Sequence, residues 1–380
     1  MRSHRFTKPY NWKNYKFGIV ALVGILSIFG ILVVGSAKES LQNKQILGVV
    51  IGLAAMIIVS LIDYMWIINF YWVLYILSII MLTAVKLFGE NVNGATRWIK
   101  VGFIQFQPSE LAKILLIIFF AKFLMEHEED INDKFTLLKY AVLAGIPLVL
   151  IVKEPDLSTT IATTMIFITL LFVAGLSYKI VAGVLALGVP VGIIGVVLIM
   201  KQALPLKPYQ YKRIMSWLQP SNPAYADDSY QQQNSIIAIG SGQLWGKGLN
   251  NSSITSLKNG DFISEPQTDF IFAVIGEELG FIGCLVVIIL LLLIVFECIL
   301  IAKNAKDLGG RLICCGMAAL IGFQSFINIC VTTGLMPNTG LPLPFVSYGL
   351  TSIMSLFIGL GMVLNVGLQA RKYHGLGDID

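Results

Sequence analysis

Apolar runs of about twenty residues, separated by short polar segments, recur along almost the whole chain. Each is long enough to cross a hydrocarbon core of about 30 Å as a helix. The pattern predicts ten spans, at about 17–36, 45–63, 66–87, 108–125, 140–152, 157–175, 178–200, 270–302, 311–333 and 348–369. The eighth is long enough to tilt or break, and the fifth is short. The first run ends in Gly35-Ser36-Ala37, which superficially resembles a signal-peptide cleavage site. Its length and the spans behind it predict an uncleaved first helix instead. The expected fold is an all-α integral membrane protein, one polytopic domain over 1–380. It has cytoplasmic tails at 1–16 and 370–380 and a long extracytoplasmic loop at 201–268, between helices 7 and 8.

Composition agrees: 56% of residues are hydrophobic and 13% charged, against roughly 25% charged in soluble domains. Lys and Arg concentrate in the segments that an inside N-terminus makes cytoplasmic, among them Arg2, Arg5, Lys8, Lys303, Lys306 and Arg311. Both termini are therefore expected inside. This topology puts Asn91–Glu110, Lys153–Leu157, the long loop and Gly334–Tyr348 together on the outer side, where no ATP is available and nucleic acid is not a partner. The glycine-rich run Gly240–Gly248 also fails as a phosphate loop, with Ser241 and Gly248 at positions that need Gly and Ser or Thr. It reads as a turn-rich loop segment. The five cysteines sit in late apolar runs without CxxC spacing, and the three histidines form no ligand cluster; no metal site is predicted.

Candidate chemistry centres on Ser264–Gly280, where Asp269 stands between the long loop and an apolar run, with Glu277 and Glu278 further in. Carboxylates at the mouth of a membrane segment are costly to keep and are functional candidates. Asp is also a favoured N-cap, and a cap at a helix N-terminus would stay ionised, as a general base requires. Gln107–Lys113 opens a helix with Pro108 in the first turn and Ser109 as a cap candidate. Glu110 and Lys113 share a helical face, either as a buried ion pair or as a charged wall with Lys113 toward a phosphate. Arg97 suits bidentate contact with phosphate oxygens, and Trp98 suits sugar stacking or interfacial anchoring. Asp156 either caps the next helix or lines the same cavity. In the long loop Lys212 and Arg213 lie among tyrosines, a mixture fit for an anionic, sugar-bearing ligand. Gly334–Gly349 packs prolines and glycines between two apolar runs, and irregular backbone at membrane depth is buried in protein or lines a cavity. Ser347 and Tyr348 belong to it.

Five stretches in register resemble the SEDS family (shape, elongation, division and sporulation), its elongation member most of all: Asn93–Trp98, Gln107–Lys113, Glu154–Leu157, Thr268–Phe272 with Gly276–Gly280, and Pro342–Gly349. Departures from the usual pattern are Gln267 for His, Leu350 for Gly, Glu154 for Gln and Ser158 for Gly. The resemblance implies a peptidoglycan glycosyltransferase in the bacterial cytoplasmic membrane that polymerises lipid II on the outer face. Its implied partners are lipid II, a class B penicillin-binding protein transpeptidase and other elongation-complex membrane proteins. It also implies that Asp269 is catalytic and ties Arg97, Trp98, Glu110 and Lys113 to activity. On this reading Asp156, Lys212, Arg213, Ser347 and Tyr348 complete the substrate site. A divalent cation such as Mg2+ could share neutralisation of the diphosphate, without a dedicated sequence site. The alternatives are a lipid II flippase and a non-catalytic scaffold for a penicillin-binding protein.

Overall fold

The computed structural model describes residues 15–369 apart from 93–94, 102–103, 155, 184–185, 187–189, 191–197, 201–207 and 251–264. The helices are α1 (Phe17–Ala37), α2 (Glu39–Leu61), α3 (Tyr64–Ile68), α4 (Tyr71–Phe88), α5 (Pro108–Glu126), α6 (Lys134–Lys153), α7 (Leu157–Val173), α8 (Pro208–Leu218), α9 (Ala226–Ser241), α10 (Ile271–Lys303), α11 (Leu308–Thr332) and α12 (Leu350–Leu368). Among the described residues seven are long and apolar enough to span a membrane: α1, α2, α4, α6, α10, α11 and α12. Helix α7 is apolar but shorter, and α5 is interrupted by Glu110, Lys113 and Lys122. The expected seventh span is helical at 178–183 and 198–200, and most of its interior lies outside the described residues. Both expected tails also lie largely outside them.

Two departures from the sequence expectation concern the connections. The segment before α5 forms a small antiparallel sheet, β1 (Glu90–Val92), β2 (Ala95–Val101) and β3 (Ile104–Phe106), in the order β1-β2-β3. Ile99 pairs with Phe106 and Lys100 with Gln105. The long loop carries α8 and α9, and these dock on the bundle. Gln232 Nε2 donates to the carbonyls of Val331 at 2.8 Å and Met336 at 2.7 Å, Ser235 Oγ to Thr332 O, and Trp217 Nε1 to Gly334 O at 2.9 Å.

Around an apolar core the exterior, too, is apolar, unlike that of a soluble protein. Helices α11 and α12 form the centre, with 72% and 83% of their most apolar windows buried, whereas α4 has 22%. Its outward Trp72, Val73, Ile76 and Ile80 are exposed, as expected for side chains that meet lipid rather than water. Inside lie Ser27, Gln45, Ser60, Gln324, Asn328 and Asn365. Hydrocarbon gives apolar faces no reason to turn inward, so packing and interhelical hydrogen bonds select the contacts. Asn365 illustrates this, donating to Ser60 O and accepting from Tyr64 N, both at 2.8 Å.

Helix α10 is broken at Gly280 (φ 64, ψ −162). A break at this point frees two donors and two acceptors of the i→i−4 ladder, and the glycine-rich segment after α9 takes up all four. Phe281 N donates to Gln243 O at 2.8 Å and Ile282 N to Leu244 O at 3.3 Å. The released carbonyls of Glu277 and Glu278 accept from Lys247 N at 3.0 Å and Gly248 N at 2.9 Å. Backbone must approach backbone for this. A Cβ on Gly242 would stand 1.9 Å from Gly276 O, and one on Gly246 2.2 Å from Glu278 O. The run that reads as a turn-rich loop is thus the second half of a helix break.

Candidate functional site

Asp269 lies just before α10, in a stretch held from α11 and from the proline-rich segment. Asn328 Nδ2, from within α11, donates to Asp269 O at 2.8 Å and to Leu341 O at 2.7 Å. Ser347 Oγ donates to Thr268 O at 2.6 Å and accepts from Leu343 N at 2.7 Å. Tyr348 N donates to Gln267 O at 2.8 Å. The proline-rich segment and the approach to α10 are therefore one hydrogen-bonded unit. Asp269 does not cap α10, contrary to the sequence expectation: Phe270 occupies the cap position and makes no side-chain cap bond. The carboxylate is left for other partners.

Those partners are electrostatic. Burial pushes the Asp269 carboxyl up to about 6; Arg97 opposes the shift, Asp156 adds to it, Arg213 opposes it and Glu265 adds to it. Arg97 reaches the site from β2, and its Nη1 stands 3.6 Å from Asp156 Oδ2. Asp156 caps α7, one of the two roles anticipated for it, with its Oδ1 accepting from Thr159 N at 3.0 Å. A Cβ on Gly340 would lie 3.1 Å from Asp269 Oδ2 and 3.6 Å from Arg97 Nη1. The acid and the guanidinium thus both border the one position that a Cβ on Gly340 would fill. Beside them Ser158 Oγ donates to Thr339 O at 2.8 Å, tying α7 to the same segment.

Glu110 and Lys113 form the buried pair. Lys113 Nζ donates to Glu110 Oε1 at 2.8 Å and to Gln324 Oε1 at 2.9 Å. Glu110 Oε2 accepts from Ser352 Oγ at 2.8 Å, and Gln324 Nε2 donates to Pro342 O at 3.0 Å. The Lys113 side chain has 0% exposure. The network joins α5, α11, α12 and the proline-rich segment, so both groups reach the site through other residues. The α5 cap differs from expectation: Gln107 occupies it, and Ser109 is buried in the first turn, accepting from Gln107 Nε2.

The remaining candidates are placed unevenly. Arg213 on α8 is half-buried and acts on Asp269, while Lys212 is exposed. Trp98 is half-buried and, as the strand neighbour of Arg97, takes the opposite face of β2. Glu277 and Glu278 serve the helix break. Lys247 Nζ donates to Glu277 Oε1 at 2.8 Å, and Ser36 Oγ to Glu278 Oε1 at 2.5 Å. Gly340 and Asn328 are site residues that sequence reading missed as individuals. A lone Asn in an apolar run was the available signal for the second. Among the described residues no group of three or more His, Cys, Asp or Glu could hold a metal ion.

A polytopic helical bundle with an acid, a guanidinium and an irregular proline-rich segment at one end defines the class: a membrane protein with a polar site at its rim. The model of the FtsW, RodA and SpoVE family, described as cell cycle protein, matches residues 12–372, and the chain belongs to that family. The peptidoglycan glycosyltransferase MrdB of Escherichia coli K12 is 34% identical over 345 residues, 90% of each chain. The probable peptidoglycan glycosyltransferase FtsW of Haemophilus influenzae is 34% identical over 304 residues, 79% of this chain and 74% of that protein. A structure described as showing coordination of polymerization and crosslinking by a peptidoglycan synthase complex superposes with a TM-score of 0.78 at 28% identity, covering 96% of this chain and all of the other (100%). The rod shape determining protein RodA of Thermus thermophilus gives 0.69 at 28% identity, over 94% of this chain and 98% of that one.

Proposed function

We propose that this chain is a peptidoglycan glycosyltransferase that polymerises lipid II on the outer face of the cytoplasmic membrane for cell elongation, with Asp269 as its general base. The carrying observation is the shared space at Gly340, where Asp269 Oδ2 and Arg97 Nη1 converge. Asp269 takes the proton of the acceptor sugar hydroxyl as that oxygen attacks the anomeric carbon of the growing strand. The bond from that carbon to the polyprenyl diphosphate breaks, and the diphosphate leaves with the electron pair. Arg97 and Arg213 neutralise the charge that develops on it. A carboxyl titrating at about 6 is ionised at neutral pH yet basic enough to accept a proton. Glu110, Lys113 and Ser347 set the geometry of the segments that present these groups. Lys212, exposed on the next face of α8, meets the substrate further out and Tyr348 borders it, while Trp98 turns to the other face of β2.

The partner in this reading is a class B penicillin-binding protein that crosslinks the strands, and the relative solved as a synthase complex supports it. The test is glycan polymerisation from purified lipid II by the partner complex and by its Asp269→Asn version. Removing a general base lowers the rate by about 10²–10⁴-fold while complex formation persists. Equal polymer from the Asn variant would sink the assignment and favour a scaffold or flippase.

A further inference from the structure

Glu154 ends α6 and is 4% exposed. Neither of its carboxyl oxygens has a hydrogen-bond partner among the described residues. The mechanism above gives it no task. It stands two residues before Asp156, whose carboxylate already holds Arg97. A buried carboxylate without partners is costly, and such a group holds its proton instead. The charged groups acting on it among the described residues are Asp156 at the start of α7 and Arg97 on β2. Lys153, its chain neighbour, is exposed. Burial is the main cause that pushes this carboxyl up to about 8; Asp156 adds to it and Arg97 opposes it.

We propose, resting on the transferase reading, that Glu154 is a positioning residue that works as an uncharged acid, leaving the Arg97 guanidinium to Asp156, Asp269 and the substrate diphosphate. Its ionisation would set a third carboxylate against one guanidinium. The cluster then becomes more negative where a diphosphate must arrive, and Arg97 is drawn off the common space at Gly340. The consequence falls on substrate binding first. KM for lipid II rises on the alkaline side, and kcat follows only as Arg97 leaves the transition state. Replacing the acid by its neutral isostere removes this dependence, because an amide has no proton to lose.

The experiment uses the partner complex in two arms. Infrared difference spectra between wild type and Glu154→Gln report the C=O band of a protonated carboxylic acid, independently of turnover. That band is present at neutral pH and titrates away through about 8. Steady-state polymerisation of lipid II supplies the second arm. One pH unit above the midpoint about a tenth of the acid remains protonated, so wild-type kcat/KM falls roughly tenfold relative to the Gln variant, mostly through KM. The acid limb set by Asp269 stays in place in both. Absence of the band at neutral pH, or the same alkaline fall in wild type and Glu154→Gln, overturns the proposal while leaving the transferase intact. A wild-type complex that makes no polymer at any pH overturns the transferase reading, and the positioning role falls with it.

Discussion

At the residue scale, the site is one acid whose ionisation is balanced between burial and a guanidinium. Asp269 titrates at about 6, above the usual carboxylate range. Its ionised fraction, and with it kcat/KM, should rise with pH through about 6 and fall tenfold per unit below that. Arg97 opposes the shift, so Arg97→Gln should move the acid limb to higher pH as well as lower the plateau. A pH–rate profile of the complex checks both, and an unmoved limb would separate Arg97 from Asp269. Gly340 makes the sharper steric case. It holds φ 77, a conformation that costs other residues about 1–3 kcal/mol, and its missing Cβ keeps open the space between Asp269 Oδ2 and Arg97 Nη1. Gly340→Ala should cost at least about tenfold in kcat/KM, with a modest fall in thermal midpoint. Gly334→Ala, at φ 79 in the same segment, controls for the backbone strain away from the acid, its Cβ meeting the end of the Ile236 side chain at 2.7 Å instead. Asp269, Arg97 and Asp156 were legible in the sequence as charged residues beside membrane segments. Gly340 was visible only as one of several glycines, because emptiness has no signature in a single chain.

At the scale of elements, two devices fix the segments that carry these residues. The first is the Glu110–Lys113 pair with Gln324 and Ser352, which joins three helices to the proline-rich segment through side chains removed from solvent. Breaking a buried pair by removing one partner costs about 3–5 kcal/mol, because it leaves an uncompensated charge. Lys113→Met should therefore lower the thermal midpoint strongly, whereas Lys113→Met with Glu110→Gln should recover much of it. If the two groups act only through structure, the double variant recovers activity along with stability. Full recovery of stability with activity still lost would mean that Lys113 meets the substrate after all. The second device is the glycine-rich insertion at the α10 break. Gly246→Ala would place a Cβ 2.2 Å from Glu278 O at φ 79, an overpacking on backbone that should cost about 2–4 kcal/mol. The spacing of the Glu110–Lys113 pair was legible from helical periodicity. The length of the eighth span allowed for a break, but its place was not legible, because its bonding partners come from the distant segment Gln243–Gly248, and periodicity reports only neighbours along the chain.

At the scale of the whole molecule, the pattern of apolar runs read out most spans to within a few residues, since hydrocarbon forces one continuous helix per crossing. The connections escape it, because water and protein both offer hydrogen-bond partners there: α8, α9 and the sheet lie in stretches whose pattern predicts loop. Orientation follows from neither fold nor packing. It rests on the asymmetry of Lys and Arg, and it decides which chemistry the site can meet. If the proline-rich segment and Asp269 face outward, they meet substrate already carried across the membrane and a partner that crosslinks it there. If they face inward, a transporter that loads lipid II becomes the better account of the same carboxylates. Gln219, after α8, and Glu128, between α5 and α6, are exposed and lie at opposite ends on the predicted topology. The native cysteines are free, and all but the half-buried Cys315 are buried, so single introduced cysteines can be read against a low background. Gln219→Cys should react with a membrane-impermeant maleimide in intact cells, and Glu128→Cys only after the membrane is permeabilised. The reverse pattern would put both termini outside and move the function from polymerisation to transport.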